Sequence, residues 1–154
     1  MLVGDLMTEK VVFAREADTL DTLYDAMLDN RIRHLPVVNS DGEVVGIVSH
    51  RDLVGSALST QTKLPISEVK QTLRMMRADE IMTREVEVTD PLEPIREAGL
   101  RLLENQLGCL PVVDGLKLIG ILTEADFVRY LCEQERTEEE IESGIRLRRQ
   151  SKLA

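Results

Sequence analysis

The period of the apolar positions changes several times along the chain, and each change marks an expected element. Val11-Val12-Phe13-Ala14 is a short continuous apolar run and Val86-Glu87-Val88 alternates, so both read as strands. Behind Asp18-Thr19, the residues Leu20, Leu23, Tyr24, Met27 and Leu28 fall at helical spacing. Ile95, Ala98, Leu102 and Leu103 do so behind Glu93-Pro94, where the fixed φ of proline suits a first helical position. Leu35 to Val38 and Val44 to Val48 flank Asp41-Gly42, and the stretch Leu110 to Leu122 is centred on Asp114-Gly115. Each predicts a hairpin, because glycine accepts the positive φ of a tight two-residue loop. Second helices are expected from Ser49-His50-Arg51-Asp52 and Thr123-Glu124-Ala125-Asp126, backed by Leu53, Val54 and Leu58 or by Phe127, Val128 and Leu131.

These elements repeat. Leu6-Met7-Thr8 returns as Ile81-Met82-Thr83, and His34-Leu35-Pro36-Val37-Val38 returns as Cys109-Leu110-Pro111-Val112-Val113, both displaced by 75 positions. Gly46 to Leu53 returns as Gly120 to Phe127, displaced by 74, so a single deletion in the hairpin loop relates the copies. The expected order is β-α-β-β-α, twice. Residues 1–58 form the first copy, 59–77 a linker, 78–132 the second copy and 133–154 a charged tail. Within the linker, Ser59 to Pro65 is polar and turn-like, while Ile66, Val69, Leu73 and Met76 predict one helix up to Arg77. The tail has sparse apolar residues at Ile141, Ile145 and Leu147. It reads as an extended surface helix, with packing on a partner as the alternative.

A half of this size buries too little surface alone, so the two copies are expected to pair. No apolar run approaches the ~20 residues that span a bilayer, and no basic-then-apolar leader opens the sequence. A cytoplasmic location is the expectation, with Cys109 and Cys132 as reduced thiols. A net charge of −9 repels a phosphate backbone and 3% aromatic residues offer few stacking platforms, which excludes nucleic acid as the expected partner. No Walker-type loop, paired helical histidines or nucleophile elbow is present, so no enzyme activity is expected.

The Leu-Met-Thr opening, the His-Leu-Pro-Val-Val block and Gly-Ile-Val-Ser-x-x-Asp-Leu together resemble the cystathionine-β-synthase-type (CBS) domain pattern, in tandem, from Val3 to about Cys132. The resemblance implies an α+β fold in which two repeats pack through their sheets as a pseudo-two-fold pair, and a homodimer of such pairs. It also implies an adenosine-containing regulatory ligand of the AMP, ADP or ATP class, with no cofactor required; the residues themselves, with no dense Asp or Glu cluster and no long apolar run, predict no metal and no membrane. S-adenosylmethionine, NADH or magnesium sensing, or a ligand-independent scaffold, are the alternatives.

The residues carried over are Ser49, Arg51 and Asp52 with Thr123 and Asp126, whose carboxylates would accept ribose hydroxyls. Lys10, Val11, His34, Leu35 and Pro36 would form an adenine-reading edge in the first copy, and Val86, Cys109, Leu110 and Pro111 one in the second. Each has a structural reading beside it: Ser49 with Asp52 is also a capping box, His34 a packed histidine, and the methionines core filler. Arg51 favours a phosphate tail where Glu124-Ala125 disfavours one, so the Ser49–Asp52 cleft is expected to be the better nucleotide site. A ligand touching both copies would bias their orientation, and an unidentified protein in trans would sense it.

Overall fold

Alternation in the two hairpin stretches becomes paired strands. The computed structural model describes residues 1–58 and 65–134; most of the expected Ser59–Pro65 loop and nearly all of the expected tail lie outside these residues. Strand β2 (His34–Val38) pairs antiparallel with β3 (Val44–Ser49), and β4 (Cys109–Asp114) with β5 (Lys117–Thr123). The register shifts after Val37 in one hairpin and after Val112 in the other, which are counterparts in the repeat. Only the second hairpin closes through two residues, Gly115-Leu116, with Gly115 at φ 64°. The first needs Asn39 to Glu43, where Asn39 Oδ1 accepts from the backbone N–H of Asp41 and of Glu43, and Gly42 sits at φ 77°.

The opening strands are shorter and later than expected. β1 is Ala14–Arg15, parallel to Val37–Val38, and its counterpart is a single bridge from Thr89 to Val112. The preceding residues bend at Glu9-Lys10 and at Arg84-Glu85 and lead from one half of the molecule to the other, so the strands begin only at Ala14 and at the Thr89 bridge. Helix α2 (Leu20–Asn30) buries Leu20, Leu23 and Met27 behind the first sheet, α3 (His50–Leu58) follows β3, and α4 (Ile66–Arg74) lies across both. The linker helix expected to reach Arg77 ends at Arg74. Beyond it the chain extends so that Met76 C=O accepts from Leu20 N–H and Ala78 N–H donates to Asp18 C=O, at 3.0 and 2.8 Å. In the second half, α6 (Ile95–Glu104) and α7 (Glu124–Gln134) repeat α2 and α3.

The halves exchange their first helical turns. Turn α1 (Val3–Leu6) docks on the second half, where Val3 N–H donates to Glu93 C=O and Ile95 N–H to Met1 C=O. Val3, fully buried, shares a core with Ala98, Leu102, Leu110, Val112 and Leu122. Turn α5 (Ala78–Ile81) docks on the first half, where Ala78 and Met82 join Leu20, Leu23, Leu35, Val48 and Leu53. The sequence boundaries place the repeats; the cores interleave them, and a half cut out alone would leave a hole of one buried residue or more.

Matched backbone bonds trace the pseudo-two-fold relation. Thr8 exchanges N–H···O=C bonds with Ile121, and its counterpart Thr83 does so with Ile47. Val44 N–H donates to Leu116 C=O while Leu118 N–H donates to Gly42 C=O, joining the two sheets at their hairpin ends. Met7 lies on Gly120 and Met82 on Gly46; a Cβ at either glycine would come within 2.5 or 2.4 Å of the methionine sulfur. The sulfurs thus fill the space that glycine leaves at the seam between the halves.

Candidate functional site

Each Ser/Thr-x-x-Asp motif sits where the last hairpin strand turns into a helix. Ser49 ends β3, and its N–H donates to Asp52 Oδ2 at 2.8 Å while Asp52 N–H donates to Ser49 Oγ at 3.1 Å. This reciprocal cap satisfies two backbone donors that the start of α3 leaves open. Asp52 remains half-buried, and no donor among the described residues reaches its Oδ1.

The second motif is bound far more tightly. Thr123 N–H and Thr123 Oγ1 both donate to Asp126 Oδ2, at 2.8 and 3.1 Å. Thr8 Oγ1 and Arg129 Nη1 donate to Oδ1, at 3.1 and 3.0 Å. Asp126 is 2% exposed, so its carboxylate replaces lost hydration with four protein donors. Thr8 belongs to the exchanged N-terminal segment, and this bond fastens that segment to the second half.

The exchange regroups the expected site residues. Lys10 and Val11 follow Thr8 and lead from the second hairpin towards β1, and Arg84 to Val86 follow Thr83 and lead from the first hairpin towards Thr89. Each stretch therefore crosses the seam rather than staying with the His-Leu-Pro or Cys-Leu-Pro block of its own copy. A cleft of about 260 Å³ opens along the first crossing, between Glu9, Val11 and Phe13, Val38 and Gly42, and Leu118 and Ile119. Of the expected residues only Val11 lines it, and its walls are mostly apolar; neither aspartate reaches it.

His34 stands opposite Ser49 and Cys109 opposite Thr123 in their ladders. Burial pushes the His34 pKa below 6.5, against the opposing pull of the Asp52 carboxylate and together with the nearby Arg33 charge. The His34 ring lies against Gly108 of the other half, where a Cβ would come within 2.2 Å of Nε2. Gly108 is thus a seam residue that the spacing of motifs did not single out. Burial pushes the Cys109 thiol up to about 12, so it stays protonated and inert. Leu35 and Leu110 face the two cores at 1% and 0% exposure, and Pro36 and Pro111 are buried, so these positions offer at most main-chain groups to a ligand. Arg51 is exposed in the first turn of α3, whereas His50 stacks on Tyr24 with ring centres 5.9 Å apart. Among the described residues no group of three or more His, Cys, Asp or Glu side chains is placed to hold a metal ion, and no helix is long and apolar enough to cross a membrane.

The sequence model of the CBS domain matches residues 3–59 and 78–133. A homoserine O-acetyltransferase of Methanococcoides burtonii is 36% identical over 130 residues, covering 84% of this chain but 24% of that one. The chain thus spans about a quarter of the length of the acetyltransferases it matches. The protein MJ1426 of Methanocaldococcus jannaschii is 30% identical, with 85% of this chain and 91% of the relative covered. Among solved structures, CBSX2 in complex with AMP superposes with a TM-score of 0.73 at 27% identity, over 88% of this chain and 98% of that one. The CBS domain pair of MJ0100 in complex with 5′-methylthioadenosine and S-adenosyl-L-methionine gives 0.70 at 26% identity, over 85% and 99%.

Proposed function

The chain belongs to the CBS domain family, and from that premise we propose that it is a regulatory module that binds an adenine nucleotide of the AMP, ADP or ATP class. The observation that carries the reading is the asymmetry of the two aspartates. Among the described residues no donor reaches one carboxylate oxygen of Asp52 at the start of α3, beside exposed Arg51, where paired ribose hydroxyls and a phosphate would find an acceptor and a cation. Asp126 spends its carboxylate on Thr8, Thr123 and Arg129. The better nucleotide site is therefore built from Ser49, Arg51, Asp52 and the main chain of the crossing segment at Val86.

AMP in the complex of CBSX2 supports this class of ligand. S-adenosylmethionine in the MJ0100 complex supports a second reading, since its adenosine moiety makes the same demands on the aspartate. A nucleotide held against both halves favours one orientation of the seam, and a separate protein senses that orientation. No catalysis is part of the proposal: the acetyltransferase name belongs to chains of which the matched region is 24%. A homodimer and a cytoplasmic location complete it.

A thermal-shift panel of AMP, ADP, ATP, S-adenosylmethionine, NADH and magnesium tests the reading. A ligand at 100 times its Kd adds about 2.7 kcal/mol of stability, a rise of roughly 5–11 °C for a chain of this size. The rise is expected with an adenosine ligand and is lost in Asp52→Ala but kept in Asp126→Ala once its lower starting Tm is allowed for. No shift with any ligand at millimolar concentration replaces the sensor with a ligand-independent scaffold.

A further inference from the structure

The crossing segment that follows Thr83 is held by the backbone at its two ends. Thr83 exchanges two bonds with Ile47, each 3.0 Å, and at the far end Thr89 N–H donates to Pro111 C=O and Val113 N–H to Thr89 C=O, both at 2.9 Å. Between these anchors, among the described residues, one main-chain group of residues 84–88 has a hydrogen-bond partner: Val88 C=O, which accepts from Arg101 Nη2 at 2.8 Å. Val86 and Val88 are half-buried, but neither packs on either of the two apolar cores.

Arg101 makes that bond from the centre of a polar network. Its Nη1 donates to both carboxylate oxygens of Glu93, at 3.0 and 3.3 Å, and its Nη2 also to Glu87 Oε2 at 3.4 Å. Asn105, one turn later on α6, donates through Nδ2 to Glu87 at 3.0 and 3.2 Å, and the buried Thr89 hydroxyl donates to Glu93 Oε2. A guanidinium suits this place, because its planar fork holds several donors in fixed directions at once. The first half fastens the equivalent stretch by apolar contact instead. The counterparts of Glu87, Thr89 and Arg101 are Val12, Ala14 and Ala26, which lie in or against the first core. Asn30, the counterpart of Asn105, turns back to Ala26 C=O at 2.8 Å, and Asp18, the counterpart of Glu93, accepts from Arg15 N–H at 2.8 Å. The first half keeps the same architecture without the clamp, so what the clamp fixes is the segment rather than the fold.

We propose that Arg101 is a positioning residue for the nucleotide site: it holds the main chain of residues 86–88 in place without itself touching the ligand. The inference rests on the reading of the Ser49–Asp52 cleft as that site. Thr83 pairs with Ile47, two residues before Ser49, so the segment leaves the first sheet beside the motif. Its main-chain groups have no ladder partner and stay open to a ligand, while Arg101 supplies the order that a ladder would give. A loose segment would have to be ordered at the moment of binding, at a cost in affinity.

The test compares Arg101→Met, which keeps the apolar stem and removes the donors, with Leu102→Val, which loosens the second core on the same helix and controls for lost stability alone. In the ligand-free chain, backbone relaxation at Glu87 and Val88 should give order parameters near about 0.85 in the parent and in Leu102→Val, and below about 0.6 in Arg101→Met. Titration calorimetry with AMP and with S-adenosylmethionine should find the Kd of whichever binds the parent raised about tenfold in Arg101→Met and unchanged in Leu102→Val, the factor expected from loss of one charge-assisted hydrogen bond. If Arg101→Met does not fold, Arg101→Lys, which cannot span Glu93 and Val88 C=O together, carries the same readouts in the same direction. An Arg101 variant with unchanged order parameters or unchanged Kd, or one matched by Leu102→Val, overturns the positioning role alone. A parent chain that binds neither ligand overturns the nucleotide reading and this role with it.

Discussion

Replacing Asp126 with alanine should cost much more stability than replacing its repeat counterpart Asp52. Four donors converge on the Asp126 carboxylate. The Arg129 contact contributes under about 1 kcal/mol, because that guanidinium is 60% exposed and rehydrates when released. The other three are different, since the site is 2% exposed. A buried donor left without a partner costs about 1–3 kcal/mol. The Thr123 hydroxyl can rotate to a new acceptor, leaving the Thr123 N–H and the Thr8 hydroxyl as the main losses. We expect about 2–4 kcal/mol for Asp126→Ala. At Asp52 a single backbone donor, Ser49 N–H, loses its cap in a half-exposed place, which costs about 1 kcal/mol. For a chain of this length the corresponding losses in Tm are roughly 4–16 °C and 2–4 °C. Urea unfolding followed by circular dichroism at neutral pH measures both, with unchanged m-values confirming that the unfolded state is not the cause. Equal losses, or a larger one at Asp52, would refute the assignment of Asp126 to fastening the N-terminal segment. Thr8→Val separates the interdomain bond from the rest and should account for about 1 kcal/mol.

Thiol titration should find one reactive cysteine in the native protein, Cys132, and a second only after unfolding, because Cys109 is buried with its pKa near 12. Stability should fall on acidification through His34: burial places its folded pKa below 6.5, the unfolded chain takes up the proton first, and stability held above about pH 6.5 is lost as the pH drops through the folded value. Urea midpoints at pH 7.5 and 5.0 check this as a smaller pH effect in His34→Gln than in the parent chain; an unchanged pH dependence would remove His34 as the cause. Gly120→Ala drives a Cβ to 2.5 Å from Met7 Sδ and should cost about 1–3 kcal/mol in thermal melts, with partial recovery when Met7→Ala is added. Val3→Ala removes buried methyl groups from the second core and should lower stability by about 1–3 kcal/mol although it lies outside the second copy as the sequence divides it.

How much could be read in advance differs between element and site. Hairpins, helices and the repeat were legible because local periodicity and glycine placement depend on neighbours in sequence: Val37 and Val112 carry matching bulges, and Gly42 and Gly115 both take positive φ. The motif residues were legible too, as Ser49 with Asp52 and Thr123 with Asp126 sit where the spacing placed them. Their company was not. Lys10 and Val86 looked like parts of their own copies, and only the bonds from Thr8 to Ile121 and from Thr83 to Ile47 show that these segments cross the seam. The unequal states of Asp52 and Asp126 also lie beyond the motif, because they depend on Thr8 arriving from more than a hundred residues away. The amino-acid sequence determines which elements form, through interactions within a few residues. Which half each opening turn completes is decided by long-range packing, where Val3 fills its place in the second core and Ala78 the equivalent place in the first.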